Sequence, residues 1–276
     1  MNLPVNLPVN PPADPFAAVA ALPGVAEAIA AARAAVDAAL AHRLMRRRSA
    51  EVQVEAGLRS ARASAALEGT DLDLDTLRRW SPPRAGGPPP VIAGALRLSA
   101  EYGSVLTALD RAPLQAFARL HVLAAADAAG QDALGRPRSG PVEDELGLGP
   151  APEASQIGPR LAALADLLVT KTAAPALAVS AVVHGELLAL RPFGWGNGLV
   201  ARAAGRLVLV NRGLDTLAVT APEVGHADDP AAYTDAAAAY LGGDVASWVV
   251  HCARAAELGA RETLAICAAI ERSASA

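Results

Sequence analysis

At 276 residues, with 53% hydrophobic and 19% charged residues, the chain is long enough for one large domain and apolar enough for a substantial core. A formal net charge of −4 gives no electrostatic case for a nucleic-acid partner. No run of about 18 uncharged apolar residues marks a membrane span. Aromatics are only 3%, so alanine and leucine must carry the packing, which favours helices over a β-sandwich.

Residues 2–10 read Asn-Leu-Pro-Val-Asn-Leu-Pro-Val-Asn, with prolines spaced against helix formation, so residues 1–15 are expected to be a flexible tail. The start has no charged stretch followed by an apolar one, and there are only two cysteines, Cys252 and Cys267. On one helix those thiols would stand about 22 Å apart, too far to share a disulfide or a metal. Both are expected to be packing residues in a cytoplasmic protein.

Helical patterning runs from Phe16 to Trp80, with breaks at Pro23-Gly24 and after Glu68-Gly69. Gly69 stands where a helix C-cap is expected, and Asp71 is available to open the next turn. Arg43, Arg46, Arg47 and Arg48 form the densest basic run and are read as a solvated face. Ser81 to Pro90 is a Pro/Gly loop. These signals divide the chain into N-terminal helices at 16–90 and a core at 91–276.

Helices resume from Val91 to Ala129. Gly130 to Pro159 is too long and irregular for a plain connector and is expected to work as a lid, a flap or a short hairpin. Within it, Glu143, Asp144 and Glu145 are read as a solvated acidic run. Further helices follow over Pro159–Val169, Pro175–Leu190 and Leu199–Asn211, with one or two more in residues 230–272.

Between the last named helices lies Arg191-Pro192-Phe193-Gly194-Trp195-Gly196-Asn197-Gly198-Leu199-Val200-Ala201-Arg202. Three glycines and an asparagine ahead of a helix can turn several N–H groups toward one point, where the helix start adds positive potential. That combination holds a phosphate or another anion. Gly196 to Ala201 also fits G-x-G-x-x-A, with Asp215 about twenty residues on. A dinucleotide fingerprint must follow a buried strand, however, and here a helical stretch precedes the loop.

The spacing resembles the Fic (Fido) motif, His-Pro-Phe-x-Asp/Glu-Gly-Asn-Gly-Arg-x-x-Arg, at Pro192, Phe193, Gly196, Asn197, Gly198 and Arg202. Ser64-Ala65-Ala66-Leu67-Glu68-Gly69 resembles the inhibitory motif of that family, Ser/Thr-x-x-x-Glu-Gly/Asn. His184 to Leu188 looks like the helix leading into the motif, and Gly135 to Val142 like its flap. Tyr233, Tyr240, Gly243-Asp244 and Trp248 resemble the C-terminal helices. The resemblance covers roughly residues 50–260. It implies an all-α, Fic-like helical bundle with a short β-hairpin flap, whose usual activity is AMP transfer from ATP to a protein hydroxyl.

The resemblance further implies that Gly196, Asn197, Gly198 and Arg202 bind phosphate, and that Ser64 and Glu68 belong to an inhibitory helix whose glutamate pairs with Arg202. Three positions depart from the motif. Arg191 replaces the family's histidine base, and a guanidinium cannot accept a proton near neutrality. Trp195 replaces the carboxylate that holds Mg²⁺ and offers no oxygen to a hard cation, so Mg²⁺ is not expected. Leu199 replaces the first motif arginine. His184 is expected to face a polar neighbour within its helix, while nothing in the sequence connects His226 or His251 to the motif.

Three readings stay open at this level. The first is a catalytically impaired protein that binds ATP or another nucleotide and meets a protein target or regulatory partner. The second is a transferase with altered chemistry, and the third a helical scaffold whose pocket Trp195 plugs.

Overall fold

The computed structural model describes residues 14–80, 87–144 and 146–275. The elements in chain order are α1 (Pro15–Ala20), α2 (Val25–Leu40), a 3₁₀ turn (Arg43–Arg46), α3 (Ser49–Ala66), α4 (Leu74–Trp80), α5 (Pro90–Ala100), α6 (Tyr102–Leu109) and α7 (Pro113–Ala125). They continue with α8 (Ala154–Val169), α9 (Ala176–Leu190), α10 (Asn197–Asn211), α11 (Pro222–Asp228), α12 (Pro230–Leu241) and α13 (Val245–Ser275). Prolines open α1, α5, α7, α11 and α12, where a missing N–H costs nothing and the fixed φ suits the first turn.

Helices α9 and α10 form the centre. Apart from Ser180, His184 and Glu186 the α9 sequence is apolar, with no exposed polar face, and almost every residue is buried, as expected of an interior helix. Its buried glutamate is satisfied from two sides: Glu186 accepts the Tyr240 hydroxyl from α12 at 2.8 Å and pairs with Arg160 of α8 at 3.1 Å. Trp248 of α13 donates its indole N–H to the Ala181 carbonyl at 2.7 Å. These bonds set the orientation of three surrounding helices against α9. Helices α11 and α13 approach backbone to backbone, because a β-carbon at Gly225 or Gly259 would overlap the Ala255 or Ala221 main chain.

The all-α expectation holds, with three local differences. No strand occurs among the described residues of the flap region. Pro137, Pro141, Pro150 and Pro152 remove N–H donors that a hairpin ladder needs, so the segment is organised by turns. Helix α8 begins at Ala154, ahead of the expected Pro159, which sits about one turn inside and forfeits a single backbone bond. The residue that opens α4 is Asp73, bonded to the Thr76 N–H at 2.8 Å; Asp71 instead pairs with Arg62. The expected tail, apart from Asp14 and Pro15, and most of the 81–90 loop lie outside the described residues, as does Glu145. Among the described residues no helix is long and apolar enough to cross a membrane.

Candidate functional site

The α9–α10 loop is closed by its own asparagine. Asn197 accepts the Phe193 N–H through Oδ1 and donates through Nδ2 to the Phe193 carbonyl, both at 2.9 Å. Gly196, at φ +70°, supplies the left-handed turn that lets α10 start immediately afterwards. Phe193 is buried and stacks on the His121 imidazole of α7, with ring centroids 4.1 Å apart and planes within 4°. His121 accepts the Gly135 N–H at Nδ1, and burial pushes its pKa down to about 4. The imidazole is therefore a neutral link between loop, α7 and flap.

The space beside Gly198 is taken by a carboxylate. A β-carbon on Gly198 would overlap the Glu68 carboxyl group, so Glu68 lies against the first turn of α10, where N–H groups lack helical acceptors. A negative charge there is favoured by the helix dipole. Glu68 is delivered by the end of α3, which closes in a Schellman arrangement: Gly69 N–H bonds to Ala66 O, Thr70 N–H bonds to Ala65 O, and Gly69 takes φ +78°.

Arg202 joins the same cluster from one turn into α10. Its Nη2 donates to Glu68 Oε1 at 2.6 Å and to the Ser64 carbonyl at 2.9 Å, and its Nε donates to the Ser64 hydroxyl at 2.9 Å. Burial alone would lower the arginine pKa, but the Glu68 carboxylate and Tyr233 outweigh it and hold the guanidinium charged. Side-chain exposure is 1% for Arg202 and 6% for Glu68, which makes this a desolvated, charge-assisted pair.

The pairing repeats one turn further along both helices. Arg206 donates to the Ser60 hydroxyl and to the Ala218 carbonyl, each at 2.8 Å. Ser60 in turn bonds Glu223 of α11. Ser60, Ser64 and Glu68 thus line one side of α3 and its end, facing Arg202 and Arg206 on α10.

The departures from the motif have definite positions. Arg191 caps α9 in the left-handed region, at φ 43°, a conformation that costs a residue with a β-carbon about 1–2 kcal/mol. Its side chain is drawn to the flap, donating to Asp144 at 3.0 Å and to the Gly149 carbonyl at 2.7 Å. Asp144 is not a freely solvated acid: it also accepts the N–H groups of Leu148 and Gly149. Arg138 reinforces the seam, donating to the carbonyls of Arg191, Gly140 and Pro152 and, through its backbone, to Pro192. Trp195 is half-buried against the main core. Leu199 is fully packed into that core and brings no charge to the site.

Sequence spacing brings Gly196, Asn197, Gly198, Arg202, Ser64 and Glu68 together as expected. It did not single out Arg206, Ser60 and Glu223, although the four-residue steps from Ser60 to Ser64 and from Arg202 to Arg206 were readable. His121, Arg138 and Asp144 lie too far away in sequence for spacing to connect them to the loop. Asp215 is removed from any ligand role, because its buried carboxylate accepts the Val219 and Thr220 N–H groups. His184 meets the polar neighbour expected of it, the Tyr233 hydroxyl at 3.0 Å.

No protein-family model and no curated protein matches the sequence. Solved structures do. A Fic family protein from Desulfovibrio desulfuricans G20 superposes with a TM-score of 0.73 at 23% identity, covering 88% of this chain and 75% of that one. Fic-1 from C. elegans superposes with a TM-score of 0.66 at 17% identity, covering 90% of this chain and 73% of that one. The chain therefore has the fold of Fic proteins.

Proposed function

We propose that this Fic-fold chain is an impaired relative of the protein AMP transferases, which keeps an anion-binding loop and holds it closed with its own Glu68. The carrying observation is the Glu68 carboxylate lodged between Gly198 and Arg202. In support of this reading, the loop has a left-handed glycine turn directly ahead of the α10 start, and the group held against it is an internal anion of the kind such a loop suits. Displacing Glu68 would leave Gly198, Asn197 and Arg202 to receive a phosphate of ATP or another nucleotide. This gives the protein a regulatory or interaction role toward a protein partner.

The chemistry of transfer lacks support at the same positions. At the base position stands a guanidinium, and loss of a general base costs about 10²–10⁴ in rate. Asp144, the carboxylate bonded to Arg191, has both oxygens engaged by backbone N–H groups, so it is poorly placed to take a proton. Trp195 gives Mg²⁺ no oxygen.

Thermal melting with ATP and ADP, on the wild-type chain and on Glu68→Gly, tests this reading. Ligand at 100 times its Kd adds about 2.7 kcal/mol of stability. A shift in Glu68→Gly without labelled AMP transfer supports an impaired binder. Transfer of the label assigns altered-chemistry catalysis instead, and no shift in either protein assigns a closed scaffold.

A further inference from the structure

In a cavity that Arg202 also lines, three helices bring metal-type donors together. His184 of α9, His226 of α11 and Cys252 of α13 are all buried, and one ligand atom from each lies within 4.8 Å of the others. The same three residues line an internal cavity of about 20 Å³, enough for a single water or ion. We propose that His184, His226 and Cys252 form a binding site for a d¹⁰ transition-metal ion, with Zn²⁺ as the occupant to test first.

The donor set is the first reason. Two imidazoles and a thiolate suit a borderline-soft cation and not Mg²⁺ or Ca²⁺. In tetrahedral zinc geometry, with bonds of about 2.0–2.3 Å, donors stand about 3.5 Å apart. The present spacing therefore needs a closure of about 1 Å toward a central ion.

The outer partners are the second reason. His184 uses Nε2 for the Tyr233 hydroxyl, and His226 uses Nδ1 for His251 Nε2 at 3.0 Å. Each ring is thereby fixed by one nitrogen, leaving the other as the available donor, the arrangement that orients metal-bound histidines.

Charge does not forbid the ion. Arg202 and Arg206 reach the cavity, but Glu68 pairs with the first and Glu223 faces the second at 4.0 Å. Binding would deprotonate Cys252, and the thiolate offsets one positive charge of the metal. The balanced step is exchange of the thiol proton for the ion, with the proton released to solvent.

The test is dialysis of the full chain against limiting Zn²⁺ with the metal content measured afterwards. Co²⁺ serves as a spectroscopic substitute, since a bound thiolate gives a charge-transfer band. The expected result is about one retained equivalent in the wild-type chain and in Cys267→Ala, and a cobalt band that Cys252→Ala removes with helical content unchanged. His251→Ala should weaken Zn²⁺ binding about 10–100-fold by freeing the His226 ring. Metal content near zero in the wild-type chain overturns the site, whether or not the variants fold. A band that survives Cys252→Ala overturns it too.

Discussion

Arg202 and Glu68 pair at 2.6 Å, both almost fully buried, and the same carboxylate occupies the space where a side chain on Gly198 would stand. One contact thus joins the end of α3 to the α9–α10 loop and neutralises the Arg202 guanidinium. The Ser60–Arg206 bond one turn away ties α3 to α10 a second time. Glu68 is consequently both a clamp and an occupant, and its removal should have two separable effects.

The clamp predicts a stability loss. Glu68→Ala leaves a buried guanidinium without its counter-charge and should cost about 3–5 kcal/mol. Ser64→Ala removes one hydroxyl acceptor and should cost about 1–3 kcal/mol. Chemical denaturation of each variant and of the double variant gives the coupling; strict additivity would contradict a single shared network.

The occupant predicts a change of sign at Gly198. With Glu68 present, Gly198→Ala forces overlap and should destabilise by about 1–3 kcal/mol. In a Glu68→Gly background the remaining close atom is Arg202 Nη1 at 3.1 Å, the tip of a flexible side chain that can give way, and alanine in the first turn of α10 should stabilise by about 0.5–1 kcal/mol. Melting curves of the four proteins decide this. An equal penalty in both backgrounds would show that Glu68 is not what fills the space.

Acid should weaken the fold. His121, His184 and His226 are held neutral by burial, His121 with a pKa of about 4. Arg202 is the fixed charge facing His184 and His226, with His251 beside them. The unfolded chain binds protons at these rings below about pH 6.5, while the native chain resists. Stability should therefore be full above that value and fall as pH drops toward 4, by up to about 1.4 kcal/mol per pH unit for each ring. Denaturation midpoints across this range check it; a flat profile would place these rings in contact with water.

Introducing the base and the metal carboxylate of the Fic motif should give chemistry only where the scaffold can use them. Arg191→His with Trp195→Asp, in a Glu68→Gly background, returns a base and a metal carboxylate. Histidine also suits the left-handed backbone at position 191 better than most side chains. Labelled AMP transfer is expected to rise about 10²–10⁴-fold over the Glu68→Gly parent with Mg²⁺ present. No gain in a folded variant would mean that the loop, with Leu199 in place of an arginine, does not position a nucleotide.

Much of this arrangement was legible because it is periodic or local. The Gly196–Arg202 spacing and the Ser64–Glu68 spacing each span only a short stretch of chain, and both ends of the Glu68–Arg202 pair could be named from them. The helix over Pro175–Leu190 was expected from its patterning, and the structure places it at the centre of the fold as α9. The flap misled, because its length suggested a hairpin while its prolines removed the ladder donors. Asp144 looked like part of a solvated acidic run, since nothing local shows that Arg191 reaches across to it. The His184–His226–Cys252 cluster was illegible for the same reason: its members sit on three helices, and only tertiary packing assembles them.

Calorimetric titration of the wild-type chain and of Glu68→Gly with ATP, with and without Mg²⁺, tests the central claim most directly. If Glu68 is an internal anion held in a surviving cradle, removing it should tighten ATP binding, and Mg²⁺ should add little because Trp195 offers it no ligand. Equal affinity in the two proteins, or binding strengthened strongly by Mg²⁺, would contradict the account.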